Sequence, residues 1–178
     1  VLPSLGALLD HVESEVRAQA AKVLGDLRAE GAHDRLVSLL KDSDSRVQFF
    51  AAQGLGKMSK SGDVGPLCDL LRSNADGDLY LRHAAVMGLA GGRDPRTLVT
   101  MAKDPSSSVR MGVLLALRRL ESPEVERFLL DSDERVVTEA ARAIHDVPIP
   151  AALPRLAAMP LGPSTPVPLA LRILGAAL

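Results

Sequence analysis

The sequence predicts an all-α fold built as a superhelix of about six helix pairs, and three observations carry that prediction. Leu24, Leu55, Leu89, Leu117, Ile144 and Leu174 recur at intervals of 31, 34, 28, 27 and 30 residues, a period typical of stacked helical repeats. Four residues before each stands Ala20, Ala51, Ala85, Val113, Ala140 or Ala170, and eight before stands Val16, Val47, Leu81, Val109 or Val136; only Pro166 breaks the rule. Spacings of four place such side chains on one helix face. Finally, apolar residues make up 47% of the chain but aromatics only 2%. The core is therefore built from Leu, Val and Ala, which suits closely packed helices.

Each unit divides into a helix A and a helix B. Helix A shows apolar residues at i, i+3 and i+4: Leu5-Leu8-Leu9, Leu36-Leu39-Leu40, Leu67-Leu70-Leu71, Leu98-Met101-Ala102, Val125-Phe128-Leu129 and Leu153-Leu156-Ala157. Residues so spaced meet on one face. Pro3, Pro66, Pro95 and Pro123 fall where helix A should begin, where the missing N–H costs nothing. The A-to-B turns are polar: Asp42-Ser-Asp-Ser45, Asn74-Ala-Asp-Gly-Asp78, Asp104-Pro-Ser-Ser-Ser108 and Asp131-Ser-Asp-Glu134. Asp and Ser accept the free N–H groups that open helix B. Gly25, Gly56 and Gly91-Gly92 are expected as C-caps of the B helices. Small pairs such as Ala20-Ala21 and Ala51-Ala52 let B helices approach closely.

The last unit departs from the pattern. Pro148, Pro150, Pro154, Pro160, Pro163, Pro166 and Pro168 crowd into it. Residues 147–178 are therefore expected to form a degenerate, shortened final repeat of a single domain spanning 1–178. The chain opens directly into a repeat and closes on Arg172-Ile-Leu-Gly-Ala-Ala-Leu178 without a polar cap. Solenoid ends are usually capped, so a fragment of a longer protein is expected, with dimerisation through uncapped ends as a further expectation.

Composition narrows function. The net charge is −1, so no field draws the chain to nucleic acid or an anionic membrane. No apolar run approaches the roughly 18 residues that span a bilayer. Cys68 is the single cysteine; it lies beside Leu67 and reads as a small buried hydrophobe. His11, His33, His83 and His145 share no metal-ligand spacing, so neither a metal nor a cofactor is expected. The acidic turns recur from unit to unit and read as caps rather than acid–base pairs. Gly88-Leu-Ala-Gly-Gly92 reads as a helix end, since no strand precedes it as a phosphate loop requires.

Two stretches resemble HEAT-type repeats: Asp104-Pro-Ser-Ser-Ser-Val-Arg110 with Leu114 and Leu117, and Asp76-Gly-Asp-Leu-Tyr-Leu-Arg82 with Ala84-Ala85 and Leu89. The resemblance covers about residues 2–146. It implies a right-handed α–α superhelix and a ladder between repeats, formed by a turn Asp and a helix B Arg six residues later, here Asp76/Arg82 and Asp104/Arg110. His11/Arg17, Asp42/Gln48 and Asp131/Val137 each lack one half. A narrower resemblance links Asp78-Leu-Tyr-Leu-Arg-His-Ala-Ala-Val-Met-Gly-Leu-Ala90 to the HEAT segment of planctomycete-type exported dehydrogenase/c-type cytochrome proteins. It implies an exported parent; without it, the cytoplasm is the default expectation. The haem-attachment pattern Cys-x-x-Cys-His is absent from this chain.

In HEAT-like arrays helix B lines the concave side, and its core positions fix what points away from the core. With 3.6 residues per turn, the opposite stripe reads Ala18 and Lys22, Phe49 and Gln53, His83 and Met87, Met111 and Leu115, Thr138 and Arg142. Its middle is unusually apolar for a solvent-facing stripe. The expected function is a non-catalytic scaffold that takes a protein, a peptide or a flanking domain in a groove. Phe49, Gln53, His83, Met87, Met111, Leu115 and Arg142 would line it, with Arg82, Arg110 and Arg142 as polar anchors. Burial of the same residues between adjacent B helices is the competing expectation. Two other functional readings stay open: a domain-positioning segment of an exported enzyme, and a HEAT-like lyase.

Overall fold

The structure is a computed structural model that describes residues 2–91 and 94–177. Helix A of the first repeat is α1 (Leu2–Ala7), continued by a 3-10 turn over Leu8–Asp10, and its helix B is α2 (Ser14–Asp26). Repeat two comprises α3 (His33–Leu39) and α4 (Ser45–Met58); repeat three, α5 (Val64–Asn74) and α6 (Leu79–Ala90). Repeat four comprises α7 (Pro95–Val99) and α8 (Ser107–Arg119). In repeat five a 3-10 segment, Pro123–Leu130, replaces helix A before α9 (Glu134–His145). Repeat six comprises α10 (Leu153–Ala157) and α11 (Val167–Ala176). No strand occurs among the described residues.

The helices gather into two compact units, Val1–Thr97 and Leu98–Leu178. In the first, α2 packs on α4 and α4 on α6, while α3 and α5 back α4 and α6. In the second, α9 packs on α8, on the 3-10 segment and on α11, and α10 packs on α11.

The register read from the sequence is the register of the core through five repeats. Leu24, Leu55, Leu89, Leu117 and Ile144 are all buried, as are Ala20, Ala51, Ala85, Val113 and Ala140. Each large side chain so placed contributes about 1.5–3 kcal/mol. Repeat six differs. Leu169 and Ile173 are its buried residues, and Leu174 is 55% exposed. Pro166 caps α11 without a side-chain hydrogen bond, and its partner helix α10 has only five residues. The core face of α11 is thus turned by one residue, from Ala170 and Leu174 to Leu169 and Ile173.

Three of the four polar turns cap helix B as the sequence predicts, while Ser106 opens α8 without a side-chain cap. Asp44, Asp78 and Asp133 cap α4, α6 and α9, accepting Arg46 and Val47, Tyr80 and Leu81, and Arg135 N–H groups respectively. Pro95 and Pro123 open their segments, whereas Pro66 is the third residue of α5, which starts at Val64.

The glycines play another part than capping. Gly25 and Gly56 lie inside α2 and α4, and left-handed φ near the helix ends falls instead on Arg28 and Ser59. Gly91 does follow α6, but with φ −61°; Gly92 lies outside the described residues. The reason for the glycines is close approach. A Cβ on Gly25 would stand 2.5 Å from Gly54 Cα, and one on Gly56 would stand 2.8 Å from the Met87 carbonyl oxygen. The B helices pack backbone to backbone here, and only glycine allows it.

Candidate functional site

Two kinds of arrangement recur on this scaffold: a polar seam at the turns and an outer face on the B helices. The seam starts from the Asp-x-Asp turns. Asp42 accepts the Asp44 N–H, which orients its carboxylate. Arg17, on the preceding helix B, then donates to both carboxylate oxygens, Nε to Oδ2 at 2.8 Å and Nη2 to Oδ1 at 2.9 Å. The same guanidinium donates to the His11 and Val12 carbonyls of its own turn. Arg110 repeats the arrangement, donating to Asp131 at 2.7 and 2.8 Å and to the Asp104 and Pro105 carbonyls. Asp131 accepts the Asp133 N–H as Asp42 accepts that of Asp44.

The Arg17 and Arg110 ties run between adjacent repeats, and the structure names the partners. Arg110 pairs with Asp131 of the following repeat, not with the Asp104 carboxylate, which accepts the Ser106 N–H. Arg82 does meet Asp76, at 3.4 Å within one repeat. Arg17 and Asp131, whose partners six residues away are missing, are completed from the adjacent repeat. Gln48 stands where Arg17 and Arg110 stand, and it donates to the Asp42 carbonyl of its own turn.

The electrostatics follow the geometry. The Arg17 guanidinium holds Asp42 below the usual carboxylate range. Burial works against the Asp131 charge, but hydrogen bonds from Arg110 and the Asp133 N–H leave it lowered as well. Arg135 holds Asp133 at about 2, assisted by its own N–H and by the Ser107 hydroxyl. A hydrogen bond from Ser14 lowers Asp44 below the usual carboxylate range as well. Arg110 is itself buried and fully engaged, so it is a structural tie and not an anchor facing solvent.

On the outer face of the B helices the predicted residues are partly open to solvent. In the first unit Phe49, Gln53 and Met87 are partly exposed and His83 is exposed, while Ala18, at the head of the stripe, is fully buried. The Phe49 and Phe50 rings meet edge to face with centroids 5.3 Å apart. Arg46 lies over Phe50 at 5.6 Å, within cation–π range. In the second unit Met111, Leu115 and Thr138 are partly exposed and Arg142 is exposed. Arg142 reaches Glu139 and Asp146, whose other partners include Arg118 and Arg172.

One arrangement was not read from the sequence. His33, at the start of α3, bridges the Asp34 carboxylate at 2.9 Å and the buried Asp63 carboxylate at 2.7 Å. The signal was the repeat period, since Asp63 lies 30 residues after His33. An Asp–His pair can serve as a general base when a ring nitrogen faces a nucleophile. Here carboxylates occupy both nitrogens, so the pair fastens repeat two to repeat three. Among the described residues no group of three or more His, Cys, Asp or Glu is placed to hold a metal ion. Among them, too, no helix is long and apolar enough to cross a membrane.

Comparison with known proteins places this architecture. The sequence matches no curated protein. Among solved structures it is similar to an engineered protein, with 21% identity over 98% of this chain and 94% of that one and a TM-score of 0.51. It is also similar to the complex of CpcE and CpcF of phycocyanin lyase from Nostoc sp. PCC7120, with 22% identity over 99% of this chain and 75% of that one and a TM-score of 0.55. At such identities the likeness is one of fold. The family model for HEAT repeats matches residues 2–79 and 66–131. With its helix pairs and its five-fold buried register, the chain belongs to the HEAT-repeat family.

Proposed function

We propose that this chain is a non-catalytic interaction scaffold whose B helices present their outer faces to a protein or peptide partner. The observation that carries this reading is the partial exposure of Phe49 and Met87 in the first unit and of Met111 and Leu115 in the second. These are large apolar side chains on helices whose opposite faces are already buried. Partly exposed apolar rows are where partners dock, and methionine adapts to varied partner shapes. Polar neighbours at Gln53 and His83, and at Thr138 and Arg142, provide the hydrogen-bonding rim that interfaces carry. Arg82 is a weaker anchor than its sequence position implies, because Asp76 engages it.

The test is retention of a partner on the immobilised chain, run beside Met87→Lys and Met111→Lys variants. The reading expects a specific partner on the wild type and its loss from variants that melt normally. Equal retention on all three would contradict it.

A further inference from the structure

Guanidiniums and carboxylates alternate across the B helices of the second unit. Arg118 of α8 meets Glu139 of α9, which also faces Arg142 one turn on. Arg142 in turn faces Asp146, which Arg172 of α11 meets. Three arginines thus share two acids, and the row carries an excess of positive charge. The arginines at its ends are hydrogen-bonded within it. Arg118 donates to Glu139 at 2.9 Å, and Arg172 donates to both Asp146 oxygens, at 3.0 and 2.7 Å. The Arg172 guanidinium is also the main reason that Asp146 stays below the usual carboxylate range. Arg142 is placed differently. It lies 3.7 Å from Glu139 and 3.6 Å from Asp146, beyond hydrogen-bond reach. Its side chain is 56% exposed, against 18% and 34% for the two acids. The carboxylates are thus committed to Arg118 and Arg172, and Arg142 keeps its donor fork open to solvent. It belongs to the outer face described above, one turn after Thr138 on α9, while Met111 and Leu115 are partly exposed on α8, which packs against α9. Glu134, on the same stripe of α9, lies two turns back, about 12 Å along the helix axis.

We propose that the outer face of the second unit takes an acidic peptide segment, an Asp or Glu carboxylate held by Arg142 and its apolar neighbours lying on Met111 and Leu115. The proposal rests on the scaffold reading above and names the chemistry of the partner. A guanidinium grips a carboxylate through two parallel donors. An exposed fork on a face that also carries apolar side chains suits an acid flanked by apolar residues. A nucleic-acid backbone calls instead for an extended basic field, and the two acids interrupt any such field here.

Selection of a random peptide library on the immobilised chain tests this, with Arg142→Gln, Thr138→Glu and Met111→Lys selected in parallel. The wild type should enrich peptides that join an Asp or Glu to apolar residues. On Arg142→Gln the acid preference should vanish. A synthetic copy of an enriched peptide should bind that variant about tenfold more weakly, the scale of one hydrogen bond to a charged group. Thr138→Glu sets an internal carboxylate four residues before Arg142, where it competes for the guanidinium. It should remove the acid preference with Arg142 still in place, so the result does not hang on the stability of one variant. Enrichment of peptides without an acid, or an acid preference that persists on either variant with a wild-type melt, overturns the carboxylate proposal. The scaffold reading then still stands if Met111→Lys abolishes capture. No enrichment on the wild type overturns both.

Discussion

Arg17 and Asp42 stand 25 residues apart and meet through two parallel hydrogen bonds, with the carboxylate almost wholly buried. Arg110 and Asp131 repeat the arrangement 21 residues apart. The guanidinium fork fits a carboxylate with two parallel donors, which a lysine cannot do. Replacing Arg110 with Ala leaves the Asp131 charge buried without its partner, an expected loss of about 3 kcal/mol. Arg110→Lys should recover part of it and not all. Chemical denaturation of the three proteins measures both differences; equal stability of the Lys variant and the wild type would show that two-point contact is unimportant.

Acid should loosen the same seam. Asp42, Asp44, Asp131 and Asp133 are all held below their ordinary range in the folded chain, Asp133 at about 2. The unfolded chain takes up these protons first, near the ordinary aspartate value of about 3.9. The stabilisation is therefore complete above about pH 4 and declines as the pH falls toward 2. Arg135→Gln should move the Asp133 titration upward, since the Arg135 side chain is the main cause of its depression. Carboxyl chemical shifts followed by NMR give the midpoint directly.

Glycine positions should separate sharply under substitution. A Cβ on Gly25 meets the Gly54 backbone, while nothing lies within 4 Å of one on Gly65. Gly25→Ala forces α2 from α4 at an expected cost of about 1–3 kcal/mol, as overpacking does. Gly65→Ala should be neutral or stabilise by about 0.5 kcal/mol through a less flexible unfolded chain. Thermal melts of the pair suffice, and a harmless Gly25→Ala would mean that the helices are not in backbone contact.

Core register predicts the largest effects. Leu55 and Leu117 are fully buried, and an Asp at either would carry an unpaired charge into the core. Each change should abolish the cooperative melt of its repeat. Retention of wild-type melting by Leu55→Asp would overturn the register.

The sequence made the repeat legible because apolar spacing acts through local helix geometry. Val47, Ala51 and Leu55 need only a helix with one wet and one dry side to be read correctly. The ladder was harder. The six-residue spacing marks Asp104 and Arg110 as members of a ladder between repeats, but that Arg110 meets Asp131 is set by stacking distances, which are not written in local spacing. Gly25 and Gly56 read as caps because glycine favours left-handed φ, while their actual use is contact with a helix some 30 residues away. Leu174 follows the register in sequence and leaves it in space, because α11 turns Leu169 and Ile173 to the core instead. The outer faces were legible as a pattern, and their partial exposure depends on how closely neighbouring side chains crowd them.

The most direct test of the central claim is titration of a retained partner into the wild type and a Met87→Lys, Met111→Lys double variant, with a thermal melt of each. The account predicts affinity lowered at least tenfold at an unchanged melting temperature. A melt that collapses with the substitutions would show these methionines to be core residues, and unchanged affinity would show that the partner binds elsewhere.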